Sequence, residues 1–237
     1  MEPWSAFGPA SISLFNATLP LSKVLPMSVK VEAGSVDDEI GISNPGWWGI
    51  DVKKQTYKGT FWVLGEYEGD FTAALRSNAS GEVYASASVP SKSKASEWTE
   101  HKFEIVSDVD AGFHVNFTVT YTPKSDDHVL NFGFISLFPP TWNDRENGMR
   151  IDLMQALKDL NPSFLRIPGG NNLQGHPAGS QWRWNETLGE LIDRPGRTGA
   201  WEYFNTDGLG LIEYFLVSLC SHFLNCYSGL TRRISVV

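Results

Sequence analysis

Residues 1 to about 137 contain no amphipathic helix, only short runs in which apolar and polar side chains partly alternate, and this restricts the region to β structure. The runs lie at 11–14, 29–31, 57–64, 71–75, 83–87, 101–105, 114–121 and 129–137. About eight strands separated by clusters of Gly, Pro, Ser and Asp predict an antiparallel sandwich of jelly-roll type. One loop stands out, Asn44-Pro45-Gly46-Trp47-Trp48-Gly49-Ile50. Its adjacent indoles either stack on the C–H face of a sugar or close one end of the sandwich, and strand alternation would bury at least one of the pair.

The pattern changes at Leu137-Phe138-Pro139-Pro140-Thr141, a proline-marked connector that sets a boundary. From residue 148 to 160 the apolar residues Met149, Leu153, Met154, Leu157 and Leu160 recur at helical spacing, and Asn161-Pro162 stops the helix. Next comes Phe164-Leu165-Arg166-Ile167, read as a short buried strand that ends in Pro168-Gly169-Gly170 and two amides, Asn171 and Asn172. A helix running straight into an apolar strand is one step of an α/β architecture, either a doubly wound sheet or a β/α barrel, and in the barrel this strand end is where ligands sit. Asn205-Thr206-Asp207 is read as the cap of a second helix, from residue 208 to about 215.

Several side chains of this second region suit a polar, ring-shaped ligand. Asn171 and Asn172 donate and accept hydrogen bonds as sugar hydroxyls require, or else serve only a glycine-assisted turn. Trp182 and Trp184, two apart, would share one side of an extended segment and line a subsite, or pack over a barrel rim. Arg194 and Arg197 flank Pro195-Gly196 and are expected either to hold the loop through carboxylates such as Asp193 or to be solvated. Glu186, Glu190, Glu202 and Glu213 are isolated and expected in solvent. His176 stands alone without metal-ligand spacing, so no metal and no cofactor is expected.

Composition narrows the partners. A net charge of -8 supplies no basic surface for nucleic acid, and nine Trp favour a carbohydrate ligand. No run of about 18 apolar residues is present, so no membrane span is expected. Met1-Glu2-Pro3-Trp4 lacks the pattern of a signal peptide, yet the four sequons at Asn16, Asn78, Asn116 and Asn185 point to N-glycosylation of an extracellular parent protein. Cys220 and Cys226 imply no disulfide framework.

Five ordered blocks carry a resemblance: Phe138-Pro139-Pro140-Thr141, the segment 162–175, Trp184-Asn185-Glu186-Thr187-Leu188-Gly189, Asp193-Arg194-Pro195-Gly196-Arg197, and Tyr203-Phe204-Asn205-Thr206-Asp207-Gly208-Leu209-Gly210. Together they resemble fungal-type α-L-arabinofuranosidases of glycoside hydrolase family 51, and Trp-Trp-Gly-Ile-Asp at 47–51 looks like that family's carbohydrate-binding-module-like sandwich. The resemblance implies a multi-domain β plus α/β chain. A galactose-binding-like jelly-roll β-sandwich would occupy 1–137, an incomplete (β/α)8 TIM barrel 138–216, and an aberrant tail 217–237. It further implies retaining hydrolysis of terminal arabinofuranosyl residues of arabinoxylan or arabinan.

By motif position Asn171 would bind the arabinofuranose, with Gly170 and Asn172 as neighbours and Trp184 as a further contact. In the family a Gly-Asn-Glu step holds the acid/base and a second glutamate is the nucleophile. Neither motif occurs in this sequence, nor does the first barrel strand with its substrate-contacting glutamate, so the chain alone is expected to be inactive. A stand-alone carbohydrate-binding module acting through Trp47 and Trp48 is the competing reading, and a truncated product without a role is a third. The departure from the family after Phe215, at Leu216-Val217-Ser218, is read as translation through an unspliced intron. Residues beyond about 140 are expected to be poorly held, because an open barrel fragment leaves strand edges and helix faces uncovered.

Overall fold

The computed structural model describes residues 3–162, 164–175 and 178–220, the last four by backbone alone. Ser163, His176, Cys226 and the tail beyond residue 220 lie outside the described residues. The chain divides into two compact units, Met1–Pro140 and Thr141–Val237.

The first unit holds ten strands: β1 (Ser5–Phe7), β2 (Ala10–Asn16), β3 (Met27–Ala33), β4 (Ile40–Asn44), β5 (Thr56–Leu64), β6 (Asp70–Ser77), β7 (Val83–Pro90), β8 (Thr99–Val106), β9 (Val115–Tyr121) and β10 (Val129–Phe138). They form two five-stranded sheets, β1-β4-β9-β6-β7 and β2-β3-β10-β5-β8, in which every pairing is antiparallel. This is a β-sandwich, and each of the eight runs read from alternation is one of its strands. The remaining two, β1 and β4, escaped because β1 has three residues and β4 is buried on both faces, which abolishes alternation.

Alternation sets the core directly. In β8, His101, Phe103 and Ile105 point inward while Lys102, Glu104 and Val106 face solvent. Across the ladder Phe61 lies opposite His101, and Gly59 lies opposite Phe103. A side chain on Gly59 would sit 2.3 Å from the Phe103 ring, so glycine makes room for that aromatic. Phe61 of β5 meets Phe71 of β6 edge-on at 5.3 Å, and Phe103 stacks on Phe117 of β9 at 5.7 Å, which ties the two sheets together.

The second unit contains α1 (Ile151–Asp159), α2 (Gly170–Gln174) and α3 (Leu211–Cys220), with a two-stranded hairpin of β11 (Arg197–Thr198) and β12 (Phe204–Asn205). The helix expected over 148–160 is present as α1, but of its apolar stripe only Met154 is fully buried, against Trp142 and Met149, while Leu153, Leu157 and Leu160 are exposed. The buried strand expected at 164–167 does not form. This segment has no ladder partner and Phe164 is 74% exposed, because a parallel strand is stabilised only by neighbours on its edges, and none exists among the described residues here. The α3 helix begins three residues later than expected, and its start is capped differently, as described below.

Candidate functional site

In the second unit the site is built from a glycine turn, a hairpin and the start of α3. Gly169 and Gly170 both take positive φ, 74° and 46°, so the turn after Pro168 is one that only glycine adopts without strain. The turn delivers Asn171 and Asn172 onto α2, whose last bond runs from the Gly175 amide to the Asn171 carbonyl at 2.9 Å. The two amides part company there. Asn171 is exposed and makes no side-chain hydrogen bond among the described residues, whereas Asn172 is half-buried and accepts from Arg197 Nη2 at 2.6 Å.

Of the two alternatives for the arginines, the structure has the first: Arg194 and Arg197 are buried and hold carboxylates, though Glu213 and Asp207 rather than Asp193. Arg197 holds Asp207 with one edge of its guanidinium, Nε to Oδ2 at 3.1 Å and Nη2 to Oδ1 at 3.2 Å, while Nη1 is buried without a hydrogen bond among the described residues. Arg194 donates to the carbonyls of Gly189, Asp207 and Gly208 and to both carboxylate oxygens of Glu213, at 2.8 and 3.3 Å. Asp193 takes part in neither pair.

Glu213 overturns the expectation that the isolated carboxylates of this region are solvated. Besides Arg194, its carboxylate accepts from the Gly210 amide at 2.8 Å and from Asn147 Nδ2 at 3.0 Å. Burial alone would raise its carboxyl, but the bonds from Arg194, Gly210 and Asn147 outweigh that and hold it below the ordinary range. The bond from Gly210 is half of a capping box: a glutamate at the third helical position returns to the residue before the helix. A second orphan amide, Leu211 N–H, donates at 3.1 Å to Oγ1 of Thr187, a fully buried residue. Gly210-Leu-Ile-Glu213 was the sequence signal for this cap. Of Asn205-Thr206-Asp207, credited with the role, Asn205 ends β12, Thr206 Oγ1 accepts from the Gly208 amide, and Asp207 pairs with Arg197.

Trp182 and Trp184 do not share a face: Trp182 is buried and Trp184 is 52% exposed. The chain leaves extended geometry between them and enters a 3-10 turn, Trp184–Thr187, which rotates the second indole away. Among the described residues no group of three His, Cys, Asp or Glu is arranged to hold a metal ion.

In the sandwich the loop at 45–50 also departs from expectation, because neither indole is buried: Trp47 is 75% and Trp48 86% exposed. The loop is a turn, so strand alternation does not act on it. Trp48 has φ of 67°, a costly conformation for a bulky residue. Its frame is firm nonetheless, with Asn44 Oδ1 accepting from the Gly46 amide at 2.8 Å and the Ile50 amide donating to the Val115 carbonyl at 3.2 Å. At Gly49 (φ 94°) a Cβ would lie 1.6 Å from the Phe113 carbonyl oxygen, so the loop is seated where only glycine fits. Of the sequon asparagines, Asn16, Asn78 and Asn185 are exposed, while Asn116 is half-buried with its Oδ1 shielded and unbonded.

Residues 156–224 match the family model described as "Alpha-L-arabinofuranosidase 1 domain". The chain is 41% identical over 218 residues to the α-L-arabinofuranosidase A of Aspergillus kawachii and equally so to that of Aspergillus niger, matching 91% of this chain. Its fold superposes on the arabinose-bound MgGH51 α-L-arabinofuranosidase with a TM-score of 0.88 at 36% identity, over 93% of this chain. The chain is a homologue of the fungal family 51 α-L-arabinofuranosidases. It spans about a third of the length of the relatives it matches, 34% for the Aspergillus enzymes and 36% for the MgGH51 chain, and corresponds to their N-terminal portion.

Proposed function

We propose that this homologue is the N-terminal portion of an extracellular α-L-arabinofuranosidase that removes terminal α-L-arabinofuranosyl groups from arabinoxylan or arabinan during hemicellulose breakdown. In this reading the described part of the second unit is a piece of a β/α barrel, and Asn171 offers its amide to the hydroxyls of the arabinose ring, with Gly170 and Trp184 beside it. The observation that supports it best is the close superposition, at 36% identity, on a family enzyme solved with arabinose. Exposure of Asn171 on a glycine turn agrees with the role, since a ligand amide must be reachable and held. Extracellular residence is supported by exposed sequons at Asn16, Asn78 and Asn185.

Cleavage with retention needs a proton donor and a nucleophilic carboxylate about 5–5.5 Å apart across the glycosidic bond. Glu213, a half-buried carboxylate of this unit, is kept ionised by Arg194, which disqualifies it as the proton donor, and both its oxygens are engaged by Arg194, Asn147 and the Gly210 amide, which suits a cap rather than a nucleophile. The purified chain is therefore expected to leave an aryl α-L-arabinofuranoside intact, while L-arabinose shifts the Asn171 side-chain amide in an NMR titration. Turnover above the buffer rate, abolished by Glu213→Gln, would overturn the inactivity; an unmoved Asn171 would overturn the sugar contact.

Exposure of both Trp47 and Trp48 favours a second role for the sandwich, as a module that stacks on a polysaccharide. Retention on insoluble arabinoxylan that disappears in Trp47→Ala and Trp48→Ala supports this role. Retention unchanged in both variants removes it.

A further inference from the structure

We infer that Arg197 is a positioning residue: it locks the glycine turn through Asn172 and thereby fixes Asn171 toward the ligand, an inference that rests on the proposed sugar role of Asn171. The carboxylate of Asp207 takes the Nε and Nη2 edge of the guanidinium in a two-point contact, so the plane of Arg197 is set before it reaches Asn172. Arg197 and Asp207 side chains are only 7% and 11% exposed, which places this pair largely out of reach of competing water. Arg197 stands on a hairpin, opposite Asn205 in the ladder, and so belongs to a stiff element rather than a free loop.

From that frame Nη2 donates at 2.6 Å to Asn172 Oδ1, twenty-five residues away in sequence. The bond consumes the Asn172 oxygen and orients its amide. Adjacent positions on a helical turn point about 100° apart, so holding Asn172 inward leaves Asn171 outward. The two amides therefore divide the work, one as anchor and one as contact. A lysine at 197 cannot replace the arginine, because one ammonium cannot span the carboxylate and the amide in a fixed plane.

The test uses the full chain and reads two quantities separately. Exchange of the Gly175 amide, which closes the turn onto Asn171, reports the lock without any sugar. Arg197→Lys and Asn172→Leu are each expected to speed it at least tenfold, while Asn172→Asp, which keeps an acceptor for the guanidinium, stays within twofold of the parent. Amides of β5 and β8 serve as an unaffected reference. Should Arg197→Lys unfold the whole second unit, Asn172→Leu decides, because it leaves the Arg197–Asp207 pair intact. Gly175 exchange unchanged in Asn172→Leu would overturn the lock.

An L-arabinose titration reads the second quantity. Affinity at Asn171 is expected to fall at least tenfold in Asn172→Leu and to be retained in Asn172→Asp. Equal affinity in all three chains overturns positioning. Absence of any arabinose response in the parent overturns the sugar role itself, and the exchange data then still judge the lock.

Discussion

Replacing Arg194 with methionine probes the buried pair that organises the second unit. The guanidinium donates six hydrogen bonds, to Gly189, Asp207, Gly208 and Glu213, and its side chain is 5% exposed. Methionine keeps the stem's apolar contacts but strips the Gly189 and Asp207 carbonyls of this donor and leaves Glu213 an ion without its counter-charge. Removing one partner of such a pair costs about 3–5 kcal/mol. Glu213→Leu should cost a similar amount for the opposite reason, and the double variant should recover a coupling of about 2–3 kcal/mol.

Urea titration followed by hydrogen exchange of the α3 amides gives these free energies locally. The pH dependence is a second readout. The Glu213 carboxyl is held below its ordinary value of 4.5, so its contribution is complete above that pH and disappears as the pH falls through the lower folded-state value. The reasoning fails if Arg194→Met costs under about 1 kcal/mol and the two effects add within about 0.5 kcal/mol, as for a solvated surface pair.

Other outcomes are expected of the sandwich. His101 is buried and neutral, with Nε2 accepting from the Lys92 amide at 3.0 Å and Nδ1 donating to the Thr99 carbonyl at 3.1 Å; burial holds its pKa below 6.5. The unfolded chain therefore takes up the proton first, so stability is full above pH 6.5 and declines below it, and His101→Phe should flatten urea midpoints measured between pH 7 and 5. Gly49→Ala should cost about 1–3 kcal/mol in thermal melts, since its Cβ collides with the Phe113 carbonyl and φ is positive. Trp48→Gly should stabilise the fold by about 1 kcal/mol by releasing left-handed strain, while weakening any retention on arabinoxylan; a loss of stability would mean that the indole supports the loop.

Legibility in the sequence followed the physics of each region. Strands such as 57–64 and 101–105 announced themselves because one face is wet and one dry, while β4 (Ile40–Asn44), dry on both, carried no period to read. The five motif blocks gave the family. Geometry within those blocks was another matter. Alternation placed Trp182 and Trp184 together, but a turn intervened; it also buried one of Trp47 and Trp48, but that rule holds only in strands. Phe164-Leu165-Arg166-Ile167 has the composition of a strand and lacks the edges to pair with, which no local pattern can reveal. The side-chain partners of Arg194, Arg197 and Glu213 lie 10 to 66 residues away, and such distant pairing of common polar residues leaves no mark on spacing.

The order of strands in the sandwich bears on how the chain is made. β9 and β10, the last two strands to leave the ribosome, occupy the middle of their respective sheets. Until residue 121 has emerged, β1-β4 stands apart from β6-β7, and until residue 138 has emerged, β2-β3 and β5-β8 wait as separate ribbons with bare backbone edges. Closure is thus a late, long-range event, of the kind that folds over milliseconds to seconds rather than microseconds. Nascent chains halted before residue 115 should be the ones that need chaperone cover, because both gaps are then still open.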